Sequence, residues 1–173
     1  PIGLAHGRAL ISDSEETAFL LADIRRTDEI LAASETRRLI DVDLPVCVML
    51  VSLLHCLPDT DDPFGMVRSL MDRLAPGSCV VFSHIVSDDR RAGAWMTDKI
   101  LSFGTSWGRV RSPQEAFAVF DGLEPASAWP DGRDEDPRVV DCSTWRLPGV
   151  DPLFRPADPA VKLWELAGVA FKR

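Results

Sequence analysis

The chain has 173 residues, 46% hydrophobic and 27% charged, with a formal net charge of −8 and an isoelectric point near 4.8. That length and composition suit one globular domain with a core of its own. The acidic balance leaves no basic stripe to neutralise phosphates, which excludes general nucleic-acid affinity, and no apolar run approaches the ~20 residues of a membrane-spanning helix.

Taken in order, residues 1–10 give a weak helical pattern through Ile2, Leu4, Ala5, Ala9 and Leu10, with Pro1 suited to the first helical position. A chain opening inside a helix without an initiator methionine is expected to be the carboxyl-terminal portion of a longer protein. No signal peptide opens it, so the cytoplasm is the expected compartment. Residues 17–22, Thr-Ala-Phe-Leu-Leu-Ala, read as a short buried strand ending at Asp23. A helix is expected over residues 27–40, with Asp28 and Glu29 near its start and Arg37 and Arg38 near its end to complement the dipole.

The stretch 45–59 organises the rest. Residues 46–51 form an unbroken apolar run after Pro45, as expected of a central strand buried on both faces. The run turns polar at Ser52 and His55 before Pro58-Asp59. In open α/β sheets ligands sit outside the carboxyl ends of the strands, so Ser52 and His55 mark where a small-molecule site is expected.

Asp62-Pro63 is a cap followed by a first-turn proline, and Met66, Val67, Leu70, Met71 and Leu74 give the ensuing helix an apolar face. Pro76-Gly77 stops it, and residues 78–83 read as a second buried strand handing over to His84. Helices are expected over residues 88–102 and 112–120, the latter opened by the capping-box spacing Ser112-Pro113-Gln114-Glu115. Residues 126–138 are polar and turn-rich, and residues 139–147 and 163–172 read as two late strands forming an antiparallel pair. The alternation implies an α/β layered fold with a parallel sheet.

The cysteines Cys47, Cys56, Cys79 and Cys142 lack metal-ligand spacing, and Cys47 and Cys79 read as small core residues. Asp59, Asp61 and Asp62 are explained by a turn and a helix cap, so no metal is expected. Trp95 and Trp107 flank a Gly-containing segment that is either part of a substrate lid or ordinary packing.

The segments Leu21-Ala22-Asp23-Ile24-Arg25, Val51-Ser52-Leu53-Leu54-His55-Cys56-Leu57-Pro58-Asp59, Leu74-Ala75-Pro76-Gly77-Ser78 with Ser83-His84, Phe120-Asp121-Gly122-Leu123 and Leu166-Ala167-Gly168-Val169-Ala170-Phe171-Lys172-Arg173 follow one another in a suggestive order. As an ordered set they resemble the class I S-adenosylmethionine-dependent methyltransferases, and more closely a bacterial group of that superfamily first catalogued as a domain of unknown function. The resemblance implies an α/β, Rossmann-like sheet with helices on both faces and a carboxyl-terminal antiparallel strand pair. The glycine-rich cofactor turn and the first two strands of that fold are not in the chain, which would then be a single truncated domain. It implies S-adenosylmethionine as cofactor and a small-molecule acceptor. It also implies that Asp23 accepts a hydrogen bond from the adenine amino group, that the backbone of Ile24 contacts the ring, and that Val51, Ser52 and Leu53 approach the methionine amine. His55, just beyond, is a candidate general base. The rival expectation is a non-catalytic binding module on the same fold; a nucleotide-dependent reductase is a weaker third.

Overall fold

The structure, a computed structural model, describes residues 7, 15–126, 138–142, 149 and 162–173. The expected helix over residues 1–10 and the polar loop at 127–137 lie outside these, save Gly7, which is helical.

The sheet is built on two long strands. β1 (Cys47–Leu50) lies parallel to β2 (Cys79–Val86), with Cys47 opposite Cys79 and Leu50 opposite Phe82. β2 pairs along its whole length with antiparallel β5 (Trp164–Phe171). The other edge of β5 is taken by two short antiparallel strands, β3 (Glu124–Pro125) and β4 (Val139–Asp141). The antiparallel pair expected from the late strands is thus β4 with β5, while residues 143–147 lie outside the description.

Burial follows the strand period of two. Val80, Phe82, His84 and Val86 of β2 and Leu166 and Ala170 of β5 point into the core. They pack there with Val67, Met71 and Leu74, contributed by α3 (Pro63–Asp72) and the turn behind it. Ala116, Val119 and Phe120 complete the cluster from α5 (Pro113–Ala116) and a 3-10 turn, Phe117–Phe120. The helix expected over 112–120 is therefore one α turn that tightens. Its capping box is present, as is the Asp62 cap of α3, where the carboxylate accepts from Gly65 N at 3.0 Å. α4 (Arg90–Leu101) is capped by Asp89.

Three expectations are corrected. Residues 17–22 form no strand: none of them enters a strand ladder among the described residues, and Leu21 is 66% exposed. A strand exists only through its ladder, and an apolar composition cannot supply the neighbour. The helix expected over 27–40 is two, α1 (Thr27–Ala32) and α2 (Ser34–Leu39), broken where Ala33 turns to an extended ψ of 144°. Finally β1 is buried on one face only: Leu50 is in the core while Cys47, Met49 and Val51 are exposed. The run 46–51 is apolar throughout, but what covers each face is a matter of layers, which composition does not record.

Candidate functional site

β1 stops at Leu50, whereas β2 continues to Val86. The N–H groups of β2 beyond that point need partners, and the chain after β1 provides them. Ile85 N donates to His55 Nδ1 at 3.1 Å, and Ser87 N to the carbonyl of Arg111 at 3.0 Å. An imidazole and then a distant backbone carbonyl thus replace the missing length of β1.

His55 is 2% exposed and packs between His84, 5.2 Å away edge-on, and Trp107, 4.7 Å away. With Nδ1 accepting, its proton sits on Nε2. Burial pushes the imidazole pKa down, Arg111 adding to the shift and the Glu165 charge opposing it. His84 lies inside β2, not at its end. Its Nδ1–H donates to the Ile85 carbonyl at 2.8 Å and its Nε2 accepts from Arg111 Nη1 at 3.1 Å. Burial drives its pKa down to about 3, so both rings are neutral near pH 7.

Arg111 ties these parts together. Besides His84, its guanidinium donates to the carbonyls of Leu54 (3.1 Å) and Leu57 (3.0 Å) and, from Nη2 and Nε, to Asp59 Oδ1 (2.7 and 3.2 Å). Those contacts use all of the fork's donors, which is how an arginine can be 1% exposed. Arg109 adds a second guanidinium to Asp59 at 2.7 Å and also pairs with Glu115.

Val51, Ser52 and Leu53 follow directly on the end of β1. Val51 and Ser52 are exposed, and Leu53 and Ile24 pack against the same core cluster. Ser52 has φ +51°. Its N–H donates to Ser83 Oγ at 2.9 Å and its Oγ to Glu165 Oε1, which also accepts from Ser83 Oγ at 2.7 Å. Asp23 is gripped by Arg25: Nε reaches Oδ1 at 2.9 Å and Nη2 reaches Oδ2 at 2.6 Å. These bonds hold its carboxyl down to about 2. Arg25 also reaches Asp61 at 3.2 Å, which sets residues 23–25 beside the turn that follows the 52–57 segment. Among the described residues no hydrogen bond joins Asp23 to Ser52 directly.

Sequence reasoning missed Arg111, Ser83 and Glu165. Ser83 stood among the residues carrying the resemblance without a role, and Glu165 showed as the single charge within the apolar strand Trp164–Phe171. An open cleft of about 620 Å³ is lined by Arg111 together with Asp89, Thr97, Arg109 and Glu115 among others, and the β1 tip is not part of its lining. Among the described residues no helix is long and apolar enough to cross a membrane.

A family model described as S-adenosyl methyltransferase matches residues 1–173. Among solved structures, a DUF574 family protein from Streptomyces avermitilis is similar over 100% of this chain and 62% of its own, at 25% identity and a TM-score of 0.77. A protein from Thermobifida fusca described as a methyltransferase is similar over 98% of this chain and 59% of its own, at 32% identity and a TM-score of 0.75. The chain thus spans about three-fifths of the length of either. The N-methyltransferase NodS from Bradyrhizobium japonicum, solved with S-adenosylhomocysteine, shares the fold at 11% identity and a TM-score of 0.52, covering 99% of this chain and 62% of its own. No curated protein sequence matches the chain. The family match over the whole length, and the parallel β1–β2 pair running into an antiparallel β5, agree: the chain belongs to the S-adenosyl methyltransferase family, whose cofactor is S-adenosylmethionine.

Proposed function

We propose that this chain contributes to an S-adenosylmethionine-dependent methyltransferase that methylates a small molecule, with the cofactor held between residues 23–24 and the 51–53 turn. The observation that carries this reading is the open tip of β1. There Val51 and Ser52 are exposed just past the strand's end, and Arg25, two residues from Asp23, reaches Asp61 in the loop that follows the 52–57 segment. The chemistry of the groups suits the ligand. An ionised, exposed Asp23 can accept from an amino group, exposed Val51 offers apolar surface, and the Ile24 backbone lies next to Asp23.

When bound, the cofactor supplies an electrophilic methyl group on a sulfonium. The residues of this chain bind and align. His55 is not assigned the base role expected of it, because its one acceptor nitrogen is used by Ile85 N–H and the ring is enclosed. Proximity and orientation carry the rate here.

The reading is tested by calorimetry of the native-length protein with S-adenosylhomocysteine. A micromolar dissociation constant is expected, with little or no heat from the 173-residue chain alone. No binding by the native-length protein would refute it.

A further inference from the structure

Ser52 is the residue on which the β1 tip turns, and it is held in a conformation that L side chains rarely adopt. Its φ of +51° lies in the left-handed region, where only glycine sits freely. Asp62, the other non-glycine residue with positive φ among those described, is explained by its helix cap. Ser52 caps nothing, so the surrounding structure must hold it.

The restraint comes from across the sheet. Glu165 lies on β5 opposite Ile85, in the strand next to β2 and two removed from β1. Its side chain crosses the face of β2, and its Oε1 takes the hydroxyl of Ser83 and the hydroxyl of Ser52 together. Ser83 in turn accepts the Ser52 N–H. Backbone and side chain of Ser52 are thus both fastened, directly or through a buried serine, to one carboxylate on a fully paired strand. Hydroxyl bonds to an ionised carboxylate are among the stronger hydrogen bonds.

Resting on the cofactor role proposed for residues 51–53, we infer that Glu165 is a positioning residue. It holds Ser52 left-handed and so sets the direction in which the Val51-Ser52-Leu53 backbone faces the cofactor. Glu165 acts through Ser52 and makes no contact of its own with the ligand.

The test is a double-mutant cycle in the native-length protein, read as the S-adenosylhomocysteine dissociation constant. Glu165→Ala is expected to weaken binding roughly tenfold when residue 52 is serine, but less than about twofold when it is glycine, because Ser52→Gly removes the need for a restraint. Ser52→Ala, which keeps the strain and loses the hydroxyl, is expected to bind more weakly than Ser52→Gly. An equal loss from Glu165→Ala in both backgrounds would mean that Glu165 touches the ligand itself, and no loss in either would mean that it has no part; each overturns the inference. Should Glu165→Ala fail to fold, Glu165→Gln carries the same cycle, with a smaller loss on serine and the same disappearance on glycine. Failure of the unmutated protein to bind refutes the cofactor reading instead, so the two failures are told apart.

Discussion

Arg111, 1% exposed, meets Asp59, whose side chain is 58% exposed, at 2.7 Å between Nη2 and Oδ1. The pair is lopsided: the cation is deep and the anion reaches in from solvent. Removing Arg111 therefore leaves the Leu57 carbonyl and the Nε2 of His84 without this donor and takes one of two donors from the Leu54 carbonyl, while removing the Asp59 charge leaves the cation with its other acceptors. Arg111→Met is expected to lower the unfolding free energy by about 3 kcal/mol and Asp59→Asn by about 1 kcal/mol. Urea denaturation checks the order, and equal losses would contradict it. Arg111→Lys, keeping the charge but not the fork, is expected to fall nearer to methionine.

The neutral histidines make stability depend on pH with a definite sign. Unfolded, His84 takes a proton near its ordinary value of 6.5; folded, it resists until about 3. Below pH 6.5 the unfolded chain binds a proton that the fold refuses, so this contribution is complete above 6.5 and is lost as the pH falls towards 3. His55 shifts in the same direction. The urea midpoint is expected to drop between about pH 7 and about pH 5, and His84→Gln to flatten part of that slope. A slope identical in the variant would show that His84 is not its source.

Gly108 is where the 102–108 segment meets the post-β1 loop. A Cβ there would lie 2.1 Å from the Leu57 carbonyl oxygen and 2.7 Å from that of His55. These are backbone atoms, held by Arg111 and the 3-10 turn Leu54–Cys56, and they have nowhere to go. Gly108→Ala is expected to cost about 2 kcal/mol and to change the emission of the neighbouring Trp107. Wild-type stability and fluorescence in the variant would show that the approach is looser than this.

Asp23 bears on the cofactor. The hydrogen bonds from Arg25 keep its carboxylate ionised well below pH 5, so its capacity to accept from an amino group should not vary between about pH 5 and about pH 8. Asp23→Ala in the native-length protein is expected to weaken S-adenosylhomocysteine binding by roughly tenfold at any pH in that range. An unchanged dissociation constant removes Asp23 from the site.

Local chemistry was legible wherever a short stretch contains both partners. The Asp62 cap with its proline, and the Ser112–Glu115 box, need only residues three apart, and both are present. The buried runs at β2 and β5 were readable for a similar reason, since a central strand needs apolar side chains on its own length. What the sequence could not settle was which runs find a neighbour. Residues 17–22 have the composition of a strand but no ladder among the described residues, whereas β1 has a ladder and only one covered face.

The sequence by itself determined the caps of α3 and α5, the apolar runs of β2 and β5, and the family, because each is written in residues near one another or in their order along the chain. The tertiary structure alone decided that Arg111 is buried, that His55 serves as a strand partner and that Glu165 reaches Ser52. Those outcomes depend on donors and acceptors that are far apart in the chain and meet only when the sheet closes: a buried polar group is tolerated where its partners arrive, and no window of sequence contains them.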